Sequence, residues 1–333
     1  MMMTRLALCR LLAFLAVLLP GAARAAEMRA TEIWLGAAEP QWRELRHWQP
    51  SDYMGLFDPA APWPRVAAHL TEVRLTKRFV LTAPDAMLAT VVRDLTRRHI
   101  GIAMQMDALR ATRACGLGVE GYGPKDDAGR AAERVRAAGG VLDAVVMDEP
   151  VWFGHFSEGK QGHVACQGPI PELVQQAAVK IAQVRAVFPA VRIGEVEPVS
   201  DKAPPRDFDE ALAQWAAGLR VATGAPLAFL QADVVWPRKG WQEELRAFAG
   251  VAAAQHIPLG IIYNGSGPDR SDAAWTAAAR QHFMEVEGRL GIVPAIAAFE
   301  SWTENPVRLL PETREDTQTG LVLAYLRFHR IEP

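Results

Sequence analysis

The sequence predicts an α/β protein folded as one (β/α)₈ (TIM) barrel. Eight short apolar runs, rich in Val, Ile, Leu or Phe and without clean alternation, are typical of parallel strands that are buried on both faces. Most of these runs are separated by helical patterns that begin at Pro or Asp and end near Gly or Pro. An open doubly wound sheet would usually carry a glycine-rich phosphate-binding turn after its first strand, and this sequence has no such turn.

The eight runs define the predicted strands in chain order. They are Glu32–Ala38, Arg78–Thr82, Ile100–Met106, Leu142–Asp148, Val191–Glu197, Leu227–Asp233, Leu259–Asn264 and Val293–Glu300. Helices are predicted at Asp85–Arg98, Pro124–Gly140, Pro171–Phe188, Asp207–Thr223, Trp241–Gln255, Asp272–Leu290 and Glu315–Arg330. No linker divides the chain, so we expect one barrel domain over residues 26–333.

Residues 1–25 predict a secretory signal peptide. Arg5 and Arg10 precede an apolar run from Leu11 to Leu19, and Ala23 and Ala25 form a small-x-small cleavage site. The run is shorter than the roughly 20 apolar residues of a transmembrane helix, so no membrane anchor is expected after cleavage. We therefore expect a periplasmic or extracellular protein.

The charge balance and the cysteine content limit the classes of protein to which this chain can belong. The chain has 36 Lys and Arg against 38 Asp and Glu, a net charge of −2, and removal of residues 1–25 takes away three arginines and makes it −5. This balance excludes a nucleic-acid-binding protein that relies on bulk positive charge. Of three cysteines, Cys115 and Cys166 remain in the mature chain, and export favours a disulfide between them over two buried thiols. The oligomeric state is not determined by the sequence.

Acidic side chains stand at the ends of four predicted strands, where a barrel places its chemistry. They are Asp148 and Glu149 after strand 4, Glu197 after strand 5, Asp233 after strand 6 and Glu300 after strand 8. Like charges packed together raise some pKa values, and glycosidic cleavage requires one protonated acid beside one ionised acid. In an ideal strand Asp148 and Glu149 point to opposite sides, which favours only one of them as catalytic.

Tryptophans accompany these acids. Seven of the ten tryptophans belong to strand 1 or to loops on the face that carries the acids, among them Trp42 in the long loop after strand 1. A flat apolar ring with an N–H donor suits the face and the hydroxyls of a sugar, although packing of the loops is an alternative role. The predicted substrate-binding residues, aromatic and polar, are Trp34, Trp152, Gln231, Trp236, Tyr263, Asn264 and Trp302.

This arrangement resembles the clan of secreted (β/α)₈ glycoside hydrolases that includes cellulases, β-mannanases and xylanases. In that clan strand 4 ends in Asn-Glu-Pro, and the matching residues here are Asp148, Glu149 and Pro150. The resemblance implies that Glu149 is the acid/base and that Trp302, at the end of strand 8, forms the floor of a sugar site.

The resemblance leaves the second carboxyl open. The clan's nucleophile is a Glu that ends strand 7, and this sequence has Tyr263-Asn264 there. Glu197 and Glu300 are then the candidate partners of the acid/base. A different sugar-hydrolase arrangement would use Asp148 as nucleophile and Asp233 as acid.

The sequence hypothesis is therefore an exported glycoside hydrolase that cleaves a poly- or oligosaccharide without a cofactor. One alternative is a metal-dependent isomerase or epimerase barrel with Mg²⁺ or Mn²⁺ held by Glu149, Glu197, Asp233 and Glu300. Such enzymes normally add a His at a strand end, and none occurs here. The other alternative is a non-catalytic carbohydrate-binding barrel, which would need the tryptophans but not Glu149.

Overall fold

Eight parallel strands close into a barrel in the computed structural model, which describes residues 31–159, 162–199 and 207–331. The strands are β1 (Glu32–Gly36), β2 (Glu72–Leu75), β3 (Gly101–Met106), β4 (Ala144–Asp148), β5 (Arg192–Val199), β6 (Leu230–Val234), β7 (Leu259–Ile262) and β8 (Ile296–Glu300). Each strand pairs with the next one in this series, and β1 pairs with both β2 and β8. The predicted (β/α)₈ fold is confirmed, whereas the predicted signal peptide lies outside the described residues.

Helices follow the strands and cover the outside of the barrel. They are α1 (Pro40–Leu45), α2 (Pro64–Ala67), α3 (Lys77–Thr82), α4 (Asp85–Arg98), α5 (Asp127–Ala137), α6 (Ile170–Val187), α7 (Phe208–Thr223), α8 (Trp241–Ala254), α9 (Asp272–Phe283) and α10 (Gln318–Phe328). A 3₁₀ helix spans Tyr53–Phe57, and π-helical turns span Trp152–Phe156 and Met284–Arg289. Two short parallel strands, Leu109–Arg110 and Tyr122–Gly123, pair beside the barrel.

The prediction of the second strand was wrong. Residues 78–82 belong to helix α3, which begins where the Thr76 hydroxyl accepts a hydrogen bond from the Phe79 N–H at 3.1 Å. The strand lies just before it, in β2, where Glu72 and Arg74 face the barrel interior and alternate with outward-packed apolar residues. Because charged residues occupy its inner face, this strand does not show the continuous apolar run expected of a buried parallel strand.

The barrel has two apolar cores. The larger core lies between the outer face of the sheet and the helices. The smaller core fills the barrel interior and consists of Trp34, Ala103, Ala144, Val146, Val196, Phe229, Ile262, Ile296 and Ala298. The Trp34 and Phe229 rings meet edge to face with 5.1 Å between centroids. We call this smaller core the plug. It closes the barrel below its C-terminal mouth, so any site on the barrel axis must lie above it.

Loops after β3 and β4 are joined by the predicted disulfide. Cys115 and Cys166 are bonded across 51 residues of sequence, which confirms the pairing. The Cys166 N–H also donates to the Tyr122 hydroxyl at 3.3 Å. Within the described ranges, no helix is long and apolar enough to cross a membrane.

Removing this disulfide should destabilise the protein. We expect the double variant Cys115→Ser, Cys166→Ser to lose about 2–4 kcal/mol of unfolding free energy, because the covalent link restricts the unfolded chain. Urea unfolding followed by tryptophan fluorescence measures this. The reduced wild type should match the variant, and the variant should not respond to reductant. A variant that unfolds at the urea midpoint of the oxidised wild type would contradict the prediction.

Candidate active site

A cavity of about 680 Å³ lies at the C-terminal ends of the strands. Its floor includes Val196 and Ile262, which belong to the inner core. Its walls carry an unusual number of charges. The acids are Glu39, Asp107, Glu120, Asp148, Glu149, Asp233 and Glu300, and the cations are Arg46, Arg74, Lys77 and Arg78. The predicted concentration of acids at this end of the barrel therefore includes several that sequence reasoning did not select.

The end of β4 directs two consecutive acids toward this cavity. Asp148 shares the inward side of β4 with Ala144 and Val146, as the alternation of a strand requires. Glu149 then adopts φ +47°, in the left-handed region, while its N–H donates to the Val196 carbonyl at 3.0 Å. This backbone breaks the alternation, so both acids line the cavity. A left-handed non-glycine residue costs free energy and is found most often where geometry serves a site.

Burial and neighbouring charges act on Glu149 in the same direction. Burial raises the pKa of Glu149 well above its ordinary value, and the negative charges of Glu120, Asp233, Asp148 and Glu197 raise it further. The carboxyl is only 8% exposed. Glu149 is therefore held in its protonated form over a wider pH range than an ordinary glutamate.

Asp148 has a different environment. Burial raises its pKa, but the charge of Arg74, a 2.6 Å hydrogen bond from Gln105 Nε2 and the charge of Lys77 lower it. Glu300 shares the same cation, since Arg74 Nη1 lies 2.5 Å from its Oε2. Burial raises the pKa of Glu300 as well, and Arg74 again opposes the rise. Arg74 therefore favours the ionised forms of both carboxyls.

Lys77 connects the cavity wall to a buried network. It contacts Asp107 and lies 2.5 Å from Asp127 Oδ2, and Asp127 also contacts Lys180. Burial raises the pKa of Asp107 to about 6, even though Lys77 lowers it. The network ties α3 to α5 and α6 beneath the wall of the cavity.

Glu197, a predicted partner of Glu149, does not line the cavity. Its two carboxylate oxygens accept hydrogen bonds from the Val151 N–H at 2.7 Å and the Trp152 N–H at 3.0 Å. It lies on the outward side of β5 with Glu195, which accepts a hydrogen bond from the Trp215 ring N–H. Glu197 thus anchors the chain immediately after Glu149 and Pro150.

Most of the predicted substrate-binding residues lie outside the cavity lining. Trp302 lines it and is 37% exposed. Trp34 and Gln231 are fully buried, and Trp34 belongs to the plug in the barrel interior. Trp152 packs against Phe156 and Phe208, Trp236 stacks on His282 and donates to Asn264 Oδ1 at 2.6 Å, and Tyr263 donates to Glu287 Oε1 at 2.7 Å. Packing behind the wall thus explains several of these residues.

Trp42 lines the cavity, and the sequence places it among the tryptophans of this face but not among the predicted substrate-binding residues. It lies on α1, directly after β1, and its ring N–H reaches the Trp302 carbonyl at 3.4 Å. Its position in the loop after the first strand was the available signal. Arg74 was missed because the second strand was predicted at residues 78–82, and Gln105 because strand interiors were expected to be apolar.

One sequence hypothesis places a divalent metal ion among Glu149, Glu197, Asp233 and Glu300. Among the described side chains, no group of three or more His, Cys, Asp or Glu is arranged to hold a metal ion.

Comparison with solved structures identifies proteins with similar architecture. A psychrophilic glycoside hydrolase family 10 endo-β-1,4-xylanase aligns with a TM-score of 0.51 at 8% identity, over 82% of this chain and 86% of that chain. For fungal β-1,4-galactanases these values are 0.48, 10%, 81% and 88%, and for morphinone reductase 0.45, 14%, 81% and 82%. No protein-family model and no curated protein matches the sequence. The similarity to the xylanase supports the barrel fold alone, so function rests on the site.

A matched pair of tryptophan substitutions separates the barrel core from the cavity rim. We expect Trp34→Ala to lower the unfolding free energy by about 3–5 kcal/mol, since it empties the plug. Trp302→Ala removes a partly exposed ring and should cost about 1 kcal/mol or less. Chemical denaturation followed by circular dichroism measures both. Equal losses in the two variants would contradict the different positions of these rings.

Proposed function

We propose that the protein is an exported glycoside hydrolase that cleaves a poly- or oligosaccharide. The observation that carries the proposal is the contrast between two adjacent buried acids in one cavity. Burial raises the pKa of both carboxyls. The main neighbouring charges raise that of Glu149 further, whereas Arg74, Gln105 and Lys77 oppose the rise at Asp148. Pairs of carboxyls whose surroundings separate their pKa values are characteristic of acid/base chemistry on sugars.

In this proposal Glu149 is the general acid. Its protonated carboxyl donates a proton to the glycosidic oxygen as the bond to the anomeric carbon breaks. Burial and the surrounding acids hold that proton to higher pH than an ordinary glutamate would keep it. The left-handed turn at Glu149 directs the carboxyl into the cavity instead of toward the helices.

Asp148 is the proposed ionised partner. A carboxylate at this position acts on the positive charge that develops at the anomeric carbon, either by attack or by activation of a water molecule. Gln105 orients one carboxylate oxygen through its 2.6 Å hydrogen bond. Glu300 forms an ion pair with Arg74, and Asp233 faces the same cavity from β6. Both acids therefore contribute to the electrostatic field at the reacting carbon.

The rim and the disulfide also support this proposal. Trp302 and Trp42 provide flat apolar surface beside the acids, and such surface suits the face of a sugar ring. A disulfide that joins two loops of the mouth fits an oxidising compartment and hence export.

Substitution of the two acids tests the assignment. We expect Glu149→Gln and Asp148→Asn each to lower kcat on a hydrolysed polysaccharide by about 10²–10⁴-fold, with little change in substrate binding. A panel of polysaccharides assayed for new reducing ends measures the activity. Glu158→Gln, an exposed glutamate in the loop after β4 that does not line the cavity, is the matched control and should retain activity. Wild-type activity in Glu149→Gln would remove this residue from the mechanism.

The pH dependence tests the charge environment of Glu149. Activity should fall on the alkaline side as Glu149 loses its proton. Glu120→Gln removes a negative charge that raises the pKa of Glu149, so that pKa should fall and the alkaline limb should move to lower pH by about half to one unit. Profiles of kcat/KM against pH measure the shift, with Glu158→Gln as control. An alkaline limb that stays in place or moves upward would contradict the prediction.

A further inference from the structure

The charges of the cavity are divided between two halves of the barrel mouth. Arg46 directly follows helix α1, and Arg78 lies in helix α3; these helices follow β1 and β2. Glu120, Glu149 and Asp233 come from the ends or loops of β3, β4 and β6. β1 and β2 are neighbours in the closed sheet, whereas β4 and β6 are each separated from both of them by at least one strand. We call the side of the mouth that carries Arg46 and Arg78 the basic half, and the side that carries Glu149 and Asp233 the acidic half. Glu120 belongs to the acidic half, because its charge acts on Glu149.

The carboxylates of the basic half have partners within the protein. Glu300 pairs with Arg74, and Asp107 pairs with Lys77. Glu39 accepts hydrogen bonds from the N–H and the hydroxyl of Thr76, at 2.7 and 3.1 Å. None of these carboxyls therefore needs the outer arginines as partners.

Arg46 and Arg78 are the outer arginines of this half. Both are exposed, and neither forms an ion pair with a carboxylate of residues 31–159, 162–199 or 207–331. The Arg46 guanidinium lies 4.7 Å from the centre of the Trp42 ring, which also lines the cavity. Stacking on an aromatic ring orients a guanidinium while leaving its N–H groups available.

We propose that Arg46, Arg78 and Trp42 form a subsite for a sugar unit that carries an anionic group, so that the substrate is an acidic glycan. Arginine N–H groups match the paired oxygens of a carboxylate or a sulfate ester, and Trp42 provides a face for the ring. The acidic half of the mouth would repel such a group, so it is held at the opposite end of the cavity. This inference deepens the proposed hydrolase and rests on it.

Binding to paired ligands tests the subsite. The protein carrying Glu149→Gln, which should not turn over substrate, is titrated calorimetrically with a panel of hexuronate oligosaccharides. Each oligosaccharide is compared with its own carboxyl-reduced, neutral form and with a sulfated neutral oligosaccharide of equal length. The same titrations are repeated with Arg46→Gln, Arg78→Gln and Trp42→Ala added. Arg93→Gln, an exposed arginine on α4 that lies outside the cavity, is the matched control.

We expect at least one anionic oligosaccharide to bind about tenfold or more tightly than its neutral form. Each of Arg46→Gln and Arg78→Gln should weaken that binding by about tenfold and leave the neutral form unaffected, and the difference should shrink in high salt. Trp42→Ala should weaken both forms, and Arg93→Gln should weaken neither. Preference for the uronate identifies a carboxylate as the anion, and preference for the sulfated glycan identifies a sulfate ester.

Other outcomes overturn the subsite. The subsite is refuted if anionic and neutral forms bind with equal affinity, or if no anionic glycan binds. It is also refuted if the binding of both forms depends equally on the arginines. The hydrolase proposal is tested separately, with the wild type and a reducing-end assay. Arginine-dependent binding of acidic glycans without any hydrolysis would refute the hydrolase and retain the subsite. Hydrolysis of neutral glycans without arginine dependence would retain the hydrolase and refute the subsite.

Discussion

The Arg74 guanidinium balances the charges of the barrel mouth. It stands on β2 in register with Gly36 of β1, which in turn is in register with Glu300 of β8. Gly36 allows the ion pair to pass over β1, since a Cβ atom there would lie 3.0 Å from Glu300 Cγ. The same cation lowers the pKa of Asp148 across the mouth. Without it, Glu300 would lose its ion-pair partner, and Lys77 would be the remaining positive charge among the main influences on Asp148, a costly arrangement for two buried acids.

A second constraint acts through the backbone after β4. Glu197 accepts two N–H groups from the segment that follows Glu149, so the left-handed turn is held from behind the sheet. Glu197 was predicted as a chemical partner, and its contacts indicate a structural contribution to the same site. The acid that acts on substrate in our proposal and the acid that fixes its backbone thus stand on neighbouring strands and face opposite ways.

Sequence patterns predicted the fold better than the site, for physical reasons. Seven of the eight strands are recognisable because their interior residues are apolar, and β2 was missed because Glu72 and Arg74 occupy its inner face. The acids that the sequence places at strand ends include Asp148, Glu149, Asp233 and Glu300, and these four line the cavity. Rings such as Trp236 share the loops of the mouth but pack behind its wall, and one sequence does not reveal which way a loop side chain turns.

The two ends of the barrel differ in how their buried acids are compensated, and this difference bears on the function of the mouth. At the N-terminal end, Arg192 binds both Glu32 oxygens, at 2.9 and 3.0 Å, and also contacts Glu72. One arginine there binds two acids, and the barrel closes around them. The C-terminal mouth instead buries Glu149 among like charges, at a cost in folding free energy. Burial raises the pKa of Glu72 at the N-terminal end as well, to about 7, but Arg192 opposes that rise. The main neighbouring charges of Glu149 instead all raise its pKa, and a chemical role for the acids of the mouth explains why this uncompensated site is retained.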